Sequence, residues 1–158
     1  MSTIDKIDAQ IVNILIDDGR LSCAEIARQI GVVSERSVRY RLERMVAEGV
    51  VKVSAIPNPK ALGYAIIADV WLEVESDAIL EVARKLAEYE CISYVACAIG
   101  ENDLSLQLVA RDTDEVYRFV TETIGKTPGV RKTTTAIVPL VLKDVYQWKI
   151  PVSYQGES

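Results

Sequence analysis

Serines and arginines are concentrated in residues 34–45, which read SERSVRYRLERM. Val38, Leu42 and Met45 recur at helical spacing and form one apolar stripe, which predicts an amphipathic helix. Ser34 is a suitable N-cap, because its hydroxyl can accept a hydrogen bond from a free backbone N–H one turn further on. The hydroxyl and guanidinium groups on the other faces suit phosphate oxygens and the acceptor-rich edge of guanine. These residue types at this spacing predict contact with nucleic acid.

Positions around this helix indicate which side chains would make the contacts. Arg36 and Tyr40 lie opposite the apolar stripe, and Arg41 flanks it, where it is equally suited to pair with a carboxylate of the domain core. We expect base and phosphate contacts from the polar residues of the region: Ser34, Arg36, Ser37, Arg39, Tyr40, Arg44 and Lys52. The alternative interpretation is an arginine-rich face that is merely solvated.

The preceding segment, residues 22–33, reads SCAEIARQIGVV and favours DNA contact over solvation. Ser22 with Glu25 three residues on is a capping-box pattern. Gly31 predicts a helix end, because glycine tolerates the left-handed conformation found there. A short helix, a glycine turn and an arginine-bearing helix form the pattern of a helix-turn-helix, whose second helix enters the major groove.

Composition indicates a globular protein of 158 residues, with 49% hydrophobic and 26% charged residues. The net charge is −5, but residues 1–56 hold eight cationic and eight anionic side chains, so the excess acidity lies in the rest of the chain. The cationic region around residues 36–52 is therefore the local patch that bears on DNA. No apolar run approaches membrane-spanning length and no signal peptide is evident, so we expect a cytoplasmic protein without a membrane partner.

Catalytic and metal sites are not indicated. The chain has no histidine, which removes the commonest acid–base residue and metal ligand. Cys23, Cys91 and Cys97 are odd in number, lack CxxC spacing and lie in apolar patterns, so we expect small buried side chains rather than disulfides or zinc ligands. We therefore expect no enzyme activity, no cofactor and no metal.

The remaining pattern divides the chain. Ile4, Ile7, Ile11 and Ile14 predict a first helix, and Val50–Ile56 predicts a short strand, or wing, after the arginine-bearing helix. Prolines at 57 and 59 mark a linker. We predict a winged helix-turn-helix domain over 1–56, a hinge over 57–64, a second domain over 65–142 and a tail over 143–158.

The second domain alternates strands and helices. Strands are predicted over Ile66–Val74, Ile92–Ile99, Leu104–Ala110 and Val130–Val138, with helices after the first and third strands. This βαββαβ order predicts an α+β, ferredoxin-like fold with two helices on one face of an antiparallel sheet. The other face stays open and apolar, and we expect Ile67 and Trp71, or the residues that alternate with them, to lie on it with Val95, Cys97 and Val109. This face predicts a second copy as partner.

Order and spacing of several stretches resemble the Lrp/AsnC family of leucine-responsive, or feast/famine, transcriptional regulators. These stretches are IDKIDAQIVNIL, AEIARQIG, VRYRLERMVAEGVV, NPKALGY, GENDL and PGV with TTTAIV. The resemblance implies dimers built through the C-terminal sheets, often assembled to octamers, and an amino-acid effector near the GENDL loop. It places the effector contacts at Gly100, Asn102, Asp103, Leu104, Thr134 and Thr135, although the family commonly has an aromatic residue where this chain has Asn102.

The residues also suggest a way for an amino acid to bind there. The Asp103 carboxylate could accept from the ammonium group, and backbone N–H groups around Gly100 could donate to the carboxylate. Two other classes remain open: a tetrapyrrole (sirohaem) decarboxylase-like relative of the same fold, disfavoured by the missing histidines, and an interaction module that does not bind DNA. The alternative interpretation of Gly100 and Asp103, equally open, is that they only make a turn.

Overall fold

The computed structural model describes residues 4–151, which form two compact units. The helical unit comprises residues 4–56 together with 142–151. The sheet unit comprises residues 57–141. The chain therefore passes from one unit to the other twice, after Ile56 and after Val141.

Three α-helices within residues 4–56 build the core of the helical unit: α1 (Lys6–Asp17), α2 (Cys23–Ile30) and α3 (Glu35–Ala47). Each contributes an apolar stripe to one core. Its fully buried side chains include Ile11, Ile26, Val38 and Met45. The predicted helix-turn-helix is confirmed. The prediction could be made from the sequence because the spacing of apolar residues within each helix determines which of its faces is apolar.

The predicted strand over Val50–Ile56 is wrong. Residues 51–58 have no regular secondary structure, although the backbone N–H groups of Val50 and Val51 donate to the carbonyl of Met45 at 2.8 and 3.2 Å. A strand exists only through backbone pairing with another strand, and the helical unit provides none among the described residues. Its β-branched composition was therefore not enough to make it a strand.

A four-stranded antiparallel sheet forms the centre of the sheet unit, with β1 (Ile66–Val74), β2 (Ile92–Cys97), β3 (Leu104–Ala110) and β4 (Val130–Val138). The strand order is β2-β3-β1-β4. Helix α4 (Ile79–Ala87) follows β1, and α5 (Thr113–Arg118) follows β3 and continues as a π-helix over Phe119–Ile124. This is the predicted ferredoxin-like fold.

Alternation along β1 and β3 divides the sheet into two faces. Side chains on one face are fully buried and form the core with α4 and α5: Ala68, Val70, Leu72 and Val74 of β1 with Leu104, Leu106, Leu108 and Ala110 of β3. Half-buried residues, including Ile67, Trp71 and Val109, lie on the other, open face. The prediction is confirmed for Val109, and of the two alternatives left open for β1 the structure shows Ile67 and Trp71 on this face.

Val95 and Cys97 do not lie on the open face, which corrects the prediction. They pair with Leu106 and Leu104, whose side chains face the helices, while Tyr94 and Ala96 share the open face. A register irregularity between Ile92 and Tyr94 exchanges the faces along β2. Cys97 is also exposed rather than buried, because β2 is an edge strand.

Candidate DNA-binding surface and effector loop

Local capping fixes where α2 and α3 begin and end. The Ser22 hydroxyl and the Glu25 carboxylate bond each other's backbone N–H, so the predicted capping box is confirmed. These bonds to Ser22 stabilise the charged form and hold the pKa of Glu25 below its usual range. Gly31 ends α2 with a φ of 80°, and the Ser34 hydroxyl accepts from the Ser37 N–H at 3.2 Å at the start of α3. The turn between the helices is thus determined locally.

A buried carboxylate on α1 holds one side of α3. Asp8 is 1% exposed, and its Oδ1 accepts from Nη1 of Arg41 at 2.8 Å while its Oδ2 accepts from Nη2 of Arg44 at 2.6 Å. Arg41 also donates to Asp5 at 2.7 Å. Hydrogen bonds to Asp5 and Asp8 favour the charged guanidinium and raise the pKa of Arg41.

This arrangement changes the role assigned to Arg44. Its side chain is 32% exposed and its guanidinium is held by Asp8, so it attaches α3 to α1 instead of extending from the surface with the other predicted DNA contacts. Of the two roles open to Arg41, the structure shows pairing with carboxylates of the domain core. The sequence carried a signal for this site, because Asp8 lies on the apolar stripe of α1 between Ile4 and Ile11 and needs a buried partner there.

The outer face of α3 presents the other predicted contacts. Arg36 is exposed and has no ion pair among the described residues, and Tyr40 is 67% exposed. Arg39 is also exposed and donates to Glu35 at 2.7 Å, a hydrogen bond that raises the pKa of Arg39. This one-turn pair is solvated on both sides, so a phosphate can displace it at small cost.

Ser37 and Lys52 occupy different surroundings. Ser37 is half-buried at the first turn of α3, where its backbone N–H is already bonded to Ser34. Lys52 is exposed on the extended segment that follows α3. The structure thus brings Ser34, Arg36, Ser37, Arg39 and Tyr40 together on one helix, with Lys52 on a separate segment.

The GENDL loop in the sheet unit is attached to β1 by Asp103. Its Oδ2 accepts from the Val74 N–H at 2.7 Å, its own N–H donates to the Leu72 carbonyl at 2.8 Å, and its carbonyl accepts from the Ala98 N–H at 2.8 Å. Asp103 therefore has the turn-making role, which was one of the two interpretations left open. Asp103 Oδ1 has no hydrogen bond to another described residue, so one carboxylate oxygen stays available.

Other predicted effector residues are placed unequally. Gly100 has a φ of 152°, which disfavours residues with a Cβ, and the position of an added Cβ there is open space. Asn102 is half-buried beside it. Leu104 is fully buried in the core of the sheet unit, so its side chain serves packing and not ligand contact.

The two threonines point to opposite faces of β4. Thr134 pairs with Trp71 on the open face, whereas Thr135 pairs with Val70 on the helix-covered side. Thr134 is the partner of Trp71, and the next residue of β1, Leu72, accepts a hydrogen bond from Asp103 of the GENDL loop. A single effector site therefore cannot use the hydroxyls of both threonines. Thr134, on the open face, is the better candidate for an effector contact.

Arg131 is a candidate that the sequence interpretation missed. It lies at the start of β4, is half exposed, and its guanidinium is 3.9 Å from Asp103 and 3.8 Å from Glu75. Its proximity to the loop follows from the pairing of β4 with β1, and no local pattern signals it. A cation beside a carboxylate matches the two charges of an amino acid.

Two further observations describe the rest of the chain. Among residues 4–151, no three histidine, cysteine or acidic side chains gather in a way that could hold a metal ion. Within the same range, no helix is both long and apolar enough to cross a bilayer.

Two family models match the chain. One, described as winged helix-turn-helix DNA-binding, matches residues 4–52, and the other, described as the Lrp/AsnC ligand binding domain, matches residues 67–147. The first match covers all of α1–α3, and the second covers the sheet from its second residue onward. Both predicted halves of the protein are thus matched separately and in the predicted order.

Curated relatives match over nearly the whole length. An uncharacterized HTH-type transcriptional regulator of Pyrococcus abyssi is 36% identical over 141 residues, which is 89% of each protein. HTH-type transcriptional regulator FL11 of the same organism is 34% identical over 86% of this chain and 89% of its own length. LrpA of Pyrococcus horikoshii is 33% identical over 89% of this chain and 99% of its own length.

Solved structures share the fold. E. coli AsnC superposes with a TM-score of 0.81 over 92% of this chain and 99% of that one, at 23% identity. A transcriptional regulator from Neisseria meningitidis, in complex with L-Met, superposes with a TM-score of 0.86 over 96% of this chain and 98% of that one, also at 23% identity. With the family models and the curated relatives, these matches show that the chain belongs to the Lrp/AsnC family of HTH-type transcriptional regulators.

Proposed function

We propose that α3 reads DNA in the major groove through Arg36, Arg39 and Tyr40, with Ser34, Ser37 and Lys52 on the phosphate backbone. The observation that carries this is the division of arginines on α3. Asp8 holds Arg41 and Arg44 on the inner side, whereas Arg36 and Arg39 remain on the outer face. An anchored helix with exposed cations on its solvent side can enter a groove without losing its own packing, and only the solvated pair of Arg39 with Glu35 must give way.

A mobility-shift titration tests this function. The probe is a duplex from the protein's own upstream region, measured against an excess of unrelated duplex of equal length. We expect a specific complex that survives the competitor and weakens steeply with added salt, because phosphate contacts release counterions. Equal binding to both duplexes would leave only non-specific affinity, and no binding to either would favour an interaction module without DNA recognition.

We further propose that the sheet unit binds an amino acid at the GENDL loop. Asp103 Oδ1 would accept from the ammonium group, and Arg131 with the backbone around Gly100 would face the carboxylate. Thr134 would add a hydroxyl from the open face. The matching Lrp/AsnC ligand binding domain supports this, as does the L-Met held by the structural relative from Neisseria meningitidis.

Self-association through the open sheet face is the third part of the proposal. Ile67, Trp71 and Val109 lie together on that face, half-buried in a single chain, beside polar groups such as Asp69 and Gln107, which bond each other at 3.0 Å. A second copy would cover these side chains symmetrically. A dimer would then present two α3 helices to two half-sites one helical turn, or a multiple of one, apart.

A further inference from the structure

The C-terminal segment packs against α1 of the helical unit. We call residues 142–151 the strap. Asn13 on α1 contacts the strap at two points: its Nδ2 donates to the carbonyl of Ile150 at 3.0 Å, and its Oδ1 accepts from the Ile150 N–H at 2.8 Å. The Asn13 amide thus bonds both the N–H and the carbonyl of Ile150. Such a paired contact requires that the backbone at Ile150 is not bonded within a helix or a sheet.

A second contact lies one turn further along the same helix face. Nζ of Lys149 is 2.7 Å from Oδ2 of Asp17, four residues after Asn13. Both partners are half exposed or more, so this ion pair aligns the strap but contributes little stability. Together the two contacts join consecutive strap residues, Lys149 and Ile150, to Asp17 and Asn13, which lie one turn apart on α1.

The strap contains a turn held by its own side chains. Asp144 accepts from the Tyr146 N–H at 3.3 Å, and the Gln147 side chain accepts from the Asp144 N–H at 2.9 Å, which closes a turn over Val145–Gln147. Contacts within the strap restrict its conformations and so lower the entropy cost of docking. Most of its apolar side chains remain exposed, with Val145 at 76% and Trp148 at 58%, and Ile150 is half-buried, so polar contacts more than apolar burial hold the strap.

We propose that Asn13 and Asp17 form a docking surface for the chain's own strap, and that the docked strap is a second connection that restrains the motion of the helical unit. The first connection is the proline-containing segment after Ile56. A body held at two points has fewer accessible orientations than a body on one tether. Because the docking is polar and shallow, the strap can be released without unfolding either unit.

The restraint has a consequence for regulation, and this step alone rests on the proposed function. A dimer that binds two half-sites gains affinity when its two α3 helices are held in a fixed arrangement before binding. The strap begins at Leu142, four residues after β4 ends at Val138, so it continues the strand that carries Thr134. Docking and release would therefore change how tightly the chain of the sheet unit is tethered to the helical unit.

The test uses Asn13→Ala in the full-length protein, which removes both bonds to Ile150 and leaves a good helix former in α1. Gln10→Ala is the matched control, because Gln10 is exposed on the same helix and has no bond to the strap. Limited trypsin digestion reports on docking, since cleavage after Lys149 requires the strap to leave α1. Small-angle X-ray scattering reports on the restraint, and neither readout needs DNA.

We expect the Asn13→Ala protein to be cut after Lys149 about tenfold faster than wild type, because two hydrogen bonds no longer oppose release. Its scattering should show a larger radius of gyration and a broader distance distribution, with unchanged circular dichroism. Gln10→Ala should match wild type in both measurements.

Three results would overturn the proposal. Equal cleavage rates of Asn13→Ala and Gln10→Ala would mean that the strap is not docked through Asn13 in solution. Faster cleavage with an unchanged scattering curve would mean that the docked strap restrains nothing. A wild-type cleavage rate that falls as protein concentration rises would mean that the strap comes from another copy. Absence of DNA binding would refute the proposed function and leave these outcomes intact.

Discussion

Oδ2 of Asp8 lies 2.6 Å from Nη2 of Arg44, and the carboxylate that makes this contact is almost completely removed from solvent. Asp8 also accepts from Arg41, so one buried acid on α1 holds two arginines of α3. A buried carboxylate is tolerated only when it is paired and hydrogen-bonded. The orientation of the proposed recognition helix therefore depends on a residue of another helix.

Replacing Asp8 by alanine is expected to destabilise the helical unit by about 2–3 kcal/mol, because two guanidinium groups would lose their buried partner. The loss of stability should be smaller than for a fully buried ion pair, because both guanidinium groups are partly exposed and can be hydrated once Asp8 is removed. Chemical denaturation followed by circular dichroism measures it. Glu35→Gln is the control, because it removes an exposed partner of Arg39 and should cost about 0.5 kcal/mol or less. Similar losses in both variants would contradict the anchoring role.

Replacing Arg36 by alanine should weaken DNA binding without changing stability. If Arg36 reads a guanine, the loss is about 1–3 kcal/mol and is confined to one position of the site. If it contacts phosphate, the loss is uniform across sequences and the salt dependence becomes shallower. Fluorescence anisotropy at several salt concentrations separates the two cases. Arg118→Ala, which removes an exposed arginine of the sheet unit, should leave affinity unchanged.

The assembly proposal predicts a clear effect of Trp71→Arg. A charge introduced at the centre of the open sheet face should prevent a second copy from packing there, and light scattering should show a smaller particle than wild type. Leu80→Arg introduces the same charge on the outer side of α4, where Leu80 is 61% exposed, and should leave particle size unchanged. A Trp71→Arg protein of wild-type size would place the self-association surface elsewhere.

Local patterns predicted the elements around the site well, because their causes are local. The capping pair of Ser22 with Glu25 and the glycine end at Gly31 depend on residues within one or two turns. The pairing of strands depends on the whole chain. The faces of Val95 and Cys97 were therefore predicted wrongly across the irregularity in β2, and Val50–Ile56 was predicted as a strand although it has no partner.

The same distinction applies to the candidate sites. The exposed position of Arg36 and Tyr40 follows from helical periodicity, which the sequence shows directly. The pairing of Asp8 with Arg44 spans 36 positions, and the approach of Arg131 to Asp103 depends on strand order. Sequence spacing can indicate that Asp8 needs a cation, but the choice of cation follows from packing.

Acid should weaken the helical unit through Asp5. Partial burial opposes its charge, but the Asp8 N–H and the Arg41 guanidinium outweigh that effect and lower the pKa of Asp5. A carboxyl whose pKa is lower in the folded state stabilises it fully above the unfolded pKa, which is about 3.9 for Asp, and this stabilisation is lost as the pH falls through the folded pKa. The Asp5→Asn protein should thus be less stable than wild type at pH 6, and the difference should shrink below about pH 4. Urea unfolding across this range measures it, and a difference independent of pH would contradict the assignment.

The two roles of Asp103 can be separated by Asp103→Asn and Asp103→Ala. Asparagine keeps an acceptor oxygen for the Val74 N–H and removes the charge, whereas alanine leaves that N–H without its side-chain partner. We expect Asp103→Asn to fold like wild type and to lose the rise in melting temperature that an amino-acid effector produces, because the ammonium group no longer meets a carboxylate. Asp103→Ala should lose about 1–3 kcal/mol of stability in addition. Thermal melts with each of the common amino acids, beginning with L-Met, provide the measurement. An Asp103→Asn protein that keeps the full ligand-induced rise would restrict Asp103 to making the turn, and would leave Arg131 and the loop backbone as the contacts to test next.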